Sequence, residues 1–168
     1  MSGTNSHDAF VESIDRHRGI LLKVAGAYSR NPVDRDDLVQ EIIVQLWRAH
    51  VRFDARSSFS TWMYRVAVNV AISFQRSETR KPHVIPADAS LFERIPQPRD
   101  EPADDRLVVV RALIERLDSP NRALMLLYLD DYAYAEIAEI LGISETNVAT
   151  KIGRIKERLK RDLAGVAR

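Results

Sequence analysis

Five of the seven prolines in this chain fall between Arg80 and Asp105, at Pro82, Pro86, Pro96, Pro98 and Pro102. Proline has no backbone N–H and clashes with the carbonyl four residues earlier, so no helix of ordinary length fits that stretch. On either side, apolar residues recur at three- and four-residue spacing, the period of a helix buried along one face. The chain therefore reads as all-α, with two small helical domains over 1–79 and 104–168 joined by a proline-rich, extended linker over 80–103. Of the 168 residues, 45% are hydrophobic, which is enough to build a core in each module and excludes disorder throughout. Cysteine is absent, which removes disulfides, thiol catalysis and cysteine-based metal sites together. No apolar run approaches the roughly 20 residues of a membrane span, and Met1 to Asp8 is polar. The expectation is a soluble, cytoplasmic protein.

The first module reads as a three-helix bundle. Phe10, Ile14, Leu21, Val24 and Tyr28 fit one face of a first helix that Asn31-Pro32 breaks. A second helix is expected after Asp34, with Leu38, Ile42, Leu46 and Trp47 as its apolar stripe. A polar loop from about Arg52 to Ser58 leads to a third, whose stripe is Phe59, Trp62 or Met63, Val66, Val70 and Phe74.

The second module opens with a helix carrying Leu107, Val110, Leu113, Ile114 and Leu117 inward. Ser119 and Pro120 then supply a cap and a first-turn proline for a helix running to about Leu129. A short helix from Tyr134 to Leu141 ends at Gly142, which adopts the left-handed conformation at little cost. Ser144 caps the last helix, and Ile143 and Val148 are placed to form a hydrophobic staple across that cap. Short helix, glycine turn and capped helix make a helix-turn-helix.

Placing Val148, Ile152, Ile155 and Leu159 inward turns Thr146, Thr150, Arg154 and Arg161 outward, with Asn147 and Lys151 on the flank. A solvated surface helix would look the same. The charge distribution decides against that reading: the chain's formal charge is only +1, yet Asp104 to Thr150 holds 4 basic and 9 acidic residues, and Lys151 to Arg168 holds 7 basic and 2 acidic. One strongly basic helix in an otherwise acidic module is what a phosphate backbone requires. Thr and Asn near its N-terminus suit base edges in a major groove.

The first module is segregated too. Asn31 to Trp47 holds 4 acidic residues and 1 basic, whereas Arg48 to Lys81 holds 7 basic and 2 acidic. Within the basic part, Arg48, Arg52, Arg56 and Arg65 alternate with Phe53, Phe59, Trp62 and Tyr64, a mixture suited to phosphates and unstacked bases. Phe59 and Trp62 fall at core spacing, whereas Phe53 sits in the loop with no evident packing role.

The run Asp36-Asp37-Leu38-Val39-Gln40-Glu41, continued to Trp47 and followed by Phe59-Ser60-Thr61-Trp62-Met63-Tyr64-Arg65-Val66-Ala67-Val68-Asn69, resembles region 2 of the extracytoplasmic-function (group IV) sigma factors of bacterial RNA polymerase, in the sigma-70 family. Tyr134 to Ser144 resembles region 4 of the same family, with no room for a region 3 between. The resemblance implies a non-enzymatic initiation subunit without a cofactor or metal, which directs core polymerase to promoters and assists their melting. Asp37, Gln40, Glu41, Ile43 and Trp47 are then expected to meet the clamp helices of the β′ subunit, with region 4 on the β flap and Leu38 in the bundle core. The minus-ten element is expected at Phe53, Arg56, Ser57, Ser58, Trp62, Arg65 and Asn69, where a base leaves the stack at a cost of a few kcal/mol. The minus-thirty-five element falls to Thr146, Asn147, Thr150, Lys151 and Arg154, on a helix that carries Ala149 and Gly153 where many relatives have bulkier residues. Ala133 stands where the family has a Ser or Thr cap, with Asp131 the nearest substitute. An anti-sigma factor is a further implied partner.

A polymerase-independent regulator would explain the helix-turn-helix but leave the basic-aromatic loop unused, and a helical scaffold or signalling protein would explain neither basic segment. An enzyme fits less well still: His7, His17, His50 and His83 lack metal-ligand spacing, and there is no phosphate-cradling glycine loop.

Overall fold

The computed structural model describes residues 3–78 and 105–166, which fall into two units, and the expected linker lies outside the described residues. All regular structure among the described residues is helical. The first unit comprises α1 (Gly3–Arg16), α2 (Arg18–Tyr28), α3 (Pro32–Ala49), a 3-10 turn at His50–Arg52 and α4 (Phe59–Glu78). The second comprises α5 (Asp105–Glu115), α6 (Ser119–Leu129), α7 (Tyr134–Leu141) and α8 (Glu145–Val166).

Helices α2, α3 and α4 pack pairwise into the expected three-helix bundle. Its core is Leu21, Val24, Ala25 and Tyr28 from α2, Leu38, Ile42 and Leu46 from α3, and Met63, Tyr64, Ala67, Val68 and Ala71 from α4. Each large apolar side chain taken wholly from water contributes about 1.5–3 kcal/mol.

Three local expectations for this unit are corrected. The first helix is two, broken at His17, where φ is −104° and ψ 20°. Ile20 N–H bonds to the His17 carbonyl at 3.0 Å, the spacing of a tightened turn, and the His17 ring bonds the Ser13 carbonyl at 2.8 Å. The apolar spacing continues across this one-residue break, so periodicity did not reveal it. Second, α3 begins at Pro32 rather than after Asp34, because Asn31 is the cap: its side-chain oxygen accepts the Asp34 N–H at 2.8 Å. Third, of the alternatives Trp62 and Met63 it is Met63 that is buried, and the face of α4 it shares with Tyr64 and Ala67 leaves Phe59, Trp62, Val66, Val70 and Phe74 half-buried. This helix packs on both α2 and α3, and Ala67 and Ala71 let the neighbouring backbones approach where a stripe of large residues would hold them apart.

In the second unit α7 has the expected bounds and Gly142 is left-handed, with φ +68°. The Ile143 N–H reaches the Ala138 carbonyl at 3.1 Å, closing the helix end. Ser144 Oγ accepts the Asn147 N–H at 3.1 Å, as the cap reading requires. The cap of α6, however, is Asp118 rather than Ser119, with Ser119 and Pro120 already in the first turn. Ala133 offers no side-chain acceptor at the start of α7. Asp131 does not replace it: Asp131 adopts φ +60° in the preceding turn, and the Glu136 carboxylate instead accepts the Ala133 N–H at 3.0 Å, one half of a capping box.

Candidate DNA and polymerase interfaces

Val148, Ile152 and Ile155 bury one face of α8 against the rest of its unit, with Leu159 half-buried. Thr146, Asn147, Thr150, Arg154 and Arg161 are exposed on the other side, and Lys151 is half-buried on the flank. This is the arrangement expected of a recognition helix held by its apolar face. Thr150 Oγ1 donates to the Thr146 carbonyl at 3.0 Å, and its oxygen keeps its acceptor capacity. Between the polar residues lies a shallow depression lined by Ala149, Thr150, Gly153, Arg154, Glu157, Arg158 and Arg161. Lys156 is not part of it: its ammonium stands 4.4 Å from the centre of the Tyr128 ring, and the polar interaction with the Tyr128 side chain raises its pKa above the ordinary lysine value.

In the first unit, the 3-10 turn and the loop after it bring most of the minus-ten candidates to one end of α4. Arg56 and Ser58 are exposed and Ser57 half-buried. Ser58 also caps α4, its hydroxyl accepting the Thr61 N–H at 3.2 Å and donating to Thr61 Oγ1 at 2.9 Å. Phe53, expected to lack a packing role, has one: its ring lies 5.0 Å from Trp62 and 5.8 Å from Phe59, in a cluster that continues through Phe10 to Trp47. Trp62, Arg65 and Asn69 share a face of α4 three and four residues apart, and Asn69 is exposed rather than turned into the bundle.

On α3 the buried Leu38, Ile42 and Leu46 leave Asp37, Gln40, Glu41, Ile43 and Trp47 exposed. Trp47 was expected in the apolar stripe, but it is 43% exposed. It is steadied from beneath by His50, stacked at 4.6 Å, and edge-on by His7 at 4.8 Å and Phe10 at 5.5 Å. Two residues without an expected role, Val44 on α3 and Val51 in the 3-10 turn, are also exposed. Their signal was present as apolar residues outside the buried stripe.

Comparison with known proteins accounts for both units. Residues 14–81 match the model of Sigma-70 region 2, and residues 107–159 match that of Sigma-70, region 4. The ECF RNA polymerase sigma-E factor of Escherichia coli is 30% identical over 150 residues, which span 82% of this chain and 78% of that protein. This chain belongs to the extracytoplasmic-function sigma factors of the sigma-70 family. The ECF RNA polymerase sigma factor SigW of Bacillus subtilis is 26% identical over 169 residues, covering 93% of this chain and 89% of its own. Among solved structures the same fold occurs in CnrH, in complex with the cytosolic domain of CnrY, at 24% identity and a TM-score of 0.68, covering 95% of this chain and 90% of that one. It recurs in the Bartonella quintana sigma factor RpoE, in complex with the anti-sigma factor NepR, at 18% identity and a TM-score of 0.69, covering 93% and 97%.

The first unit is thus sigma region 2 and the second sigma region 4. Among the described residues of this sigma factor, no cluster of three or more His, Asp or Glu side chains could hold a metal ion. No described helix is long and apolar enough to cross a membrane.

Proposed function

We propose that this RNA polymerase sigma factor divides promoter recognition between its units, with residues 1–79 forming region 2, 104–168 forming region 4 and 80–103 linking them. The observation that carries this division is that each unit exposes its own basic surface beside a separately buried core. On α8, Thr146, Asn147, Thr150, Lys151 and Arg154 read the minus-thirty-five element in a major groove. In region 2, Arg56, Ser57, Ser58, Trp62, Arg65 and Asn69 engage the non-template strand of the minus-ten element. Phe53 backs Trp62 there, and stacking on aromatic rings offsets the cost of unstacking a base.

Asp37, Gln40, Glu41, Ile43 and Trp47 dock on the β′ clamp helices of core polymerase, while region 4 meets the β flap. The exposed indole on an acidic helix supports the first contact, since aromatic anchors dominate protein interfaces. The complex of the Bartonella quintana RpoE with the anti-sigma factor NepR supports an anti-sigma factor as a further partner in the cytoplasm. The protein is a recognition subunit rather than an enzyme.

Run-off transcription with purified core RNA polymerase on promoters selected from a random library tests this reading. Promoter-dependent transcripts are expected only when the sigma factor is present. Their absence from every selected template would overturn it.

A further inference from the structure

The loop that carries Arg56 is fastened at both ends. The Phe53 N–H bonds to the His50 carbonyl at 3.1 Å where the loop leaves the 3-10 turn, and Ser58 caps α4 at the far end. Between them, both oxygens of the Asp54 carboxylate engage Arg56: Oδ1 accepts its backbone N–H at 3.2 Å, and Oδ2 lies 3.0 Å from its Nε. Ala55, the residue between, is held at φ +59°. A left-handed residue other than glycine costs about 1–2 kcal/mol. An aspartate that bonds the backbone two residues on holds such a turn in place.

None of this supports the core. The Asp54 and Arg56 side chains are 58% and 89% exposed, and a pair in that setting adds at most about 1 kcal/mol. Its effect is on direction. With Nε engaged by Asp54 and the Arg56 side chain 89% exposed, the two terminal nitrogens of the guanidinium keep their N–H donors for a phosphate. We propose that Asp54 is a positioning residue that orders the Ala55 turn and presents Arg56 to the backbone of single-stranded promoter DNA.

This role rests on the reading of residues 53–58 as a minus-ten surface. Ordering the loop before binding saves part of the entropy that DNA would otherwise have to supply. The carboxylate itself repels phosphate, so the two effects of Asp54 have opposite signs and separate by experiment.

Fluorescence anisotropy of a labelled random-sequence single strand, titrated with the sigma factor assembled on core polymerase at several salt concentrations, provides the test. Asp54→Ala is expected to weaken binding about threefold to tenfold by loosening the loop, with an unchanged salt slope and an unchanged thermal transition. Asp54→Asn keeps an acceptor for the Arg56 N–H without the charge and is expected to bind at least as tightly as the unsubstituted protein. Arg56→Ala is expected to weaken binding and lower the salt slope by about 0.7. If Arg56→Ala matters and Asp54→Ala binds equally or more tightly, the positioning role is wrong and the surface stands. If Arg56→Ala changes neither affinity nor slope, the loop does not contact DNA and both readings fall.

Discussion

Arg122 reaches back along the chain to Glu115: its Nη2 donates to the Glu115 carbonyl at 2.6 Å, and to that of Leu117 at 3.1 Å. The last carbonyls of a helix have no intrahelical partner, and here an arginine only 8% exposed satisfies carbonyls at and just beyond the end of α5. The contact fixes the corner between α5 and α6. A buried arginine thus acts as a cap from the following helix.

Arg122→Ala is accordingly expected to cost region 4 about 2–3 kcal/mol, from lost charged hydrogen bonds and carbonyls left without donors. The measurement can be confined to that unit, because both tryptophans, Trp47 and Trp62, lie in region 2. Far-UV circular dichroism should show an earlier helical transition while the tryptophan fluorescence transition stays in place. A common shift of both signals would mean that Arg122 supports more than region 4.

Two glycines of region 4 should respond in opposite directions to the same change. Gly153 lies in α8, and a Cβ there meets nothing within 4 Å, so Gly153→Ala is expected to stabilise the helix by about 0.8–1 kcal/mol. Gly142 also has space, but its φ of +68° is strained for any residue with a Cβ. Gly142→Ala should therefore destabilise region 4 by about 1 kcal/mol or more. Urea denaturation followed by circular dichroism gives both signs in one experiment.

The difference between these glycines shows which features can be read from sequence. Gly142 ends an apolar period just ahead of a serine cap, so its conformation follows from local chemistry. Leu38, Ile42 and Leu46, like Val148, Ile152 and Ile155, obey a single-face period and are buried as that period requires. The face of α4 does not follow from its own sequence, because a helix packed on two neighbours buries a broad arc containing Tyr64 and two alanines. The cap by Arg122 is equally illegible, since it joins residues on different helices. In the candidate site, the period gave the polar face of α8, whereas the Asp54–Arg56 turn and the packing of Phe53 on Trp62 arise from loop geometry that no period encodes.

Trp47 and Ile42 separate docking from folding on one helix. Ile42 is fully buried, so Ile42→Ala should lower the stability of region 2 by about 2–5 kcal/mol. Trp47 is exposed on an acidic face, and Trp47→Ala should cost much less in stability but at least about 2 kcal/mol in binding to core polymerase, as aromatic anchors do. Competition between the variant and the unsubstituted protein for a limiting amount of core enzyme, alongside urea denaturation, measures the two quantities. Equal core affinity for Trp47→Ala would remove the indole from the docking surface.

Arg154 decides whether α8 reads bases or only follows phosphates. It is exposed on the same face as Thr150, one turn further along, and borders the depression at Gly153. If its guanidinium pairs with a base edge, Arg154→Ala should weaken use of the preferred minus-thirty-five sequence by about 1–3 kcal/mol and relax the choice at one position. If it meets a phosphate, every sequence should weaken alike, and the salt slope should fall by about one charge. Run-off transcription from a library randomised in that element, repeated at two salt concentrations with each form of the holoenzyme, distinguishes the two. The short side chains at Ala149 and Gly153 leave Arg154 and Lys151 as the long donors beside Thr150, so a base contact at Arg154 is the expected result. An unchanged preference together with an unchanged slope would make this face of α8 a solvated surface.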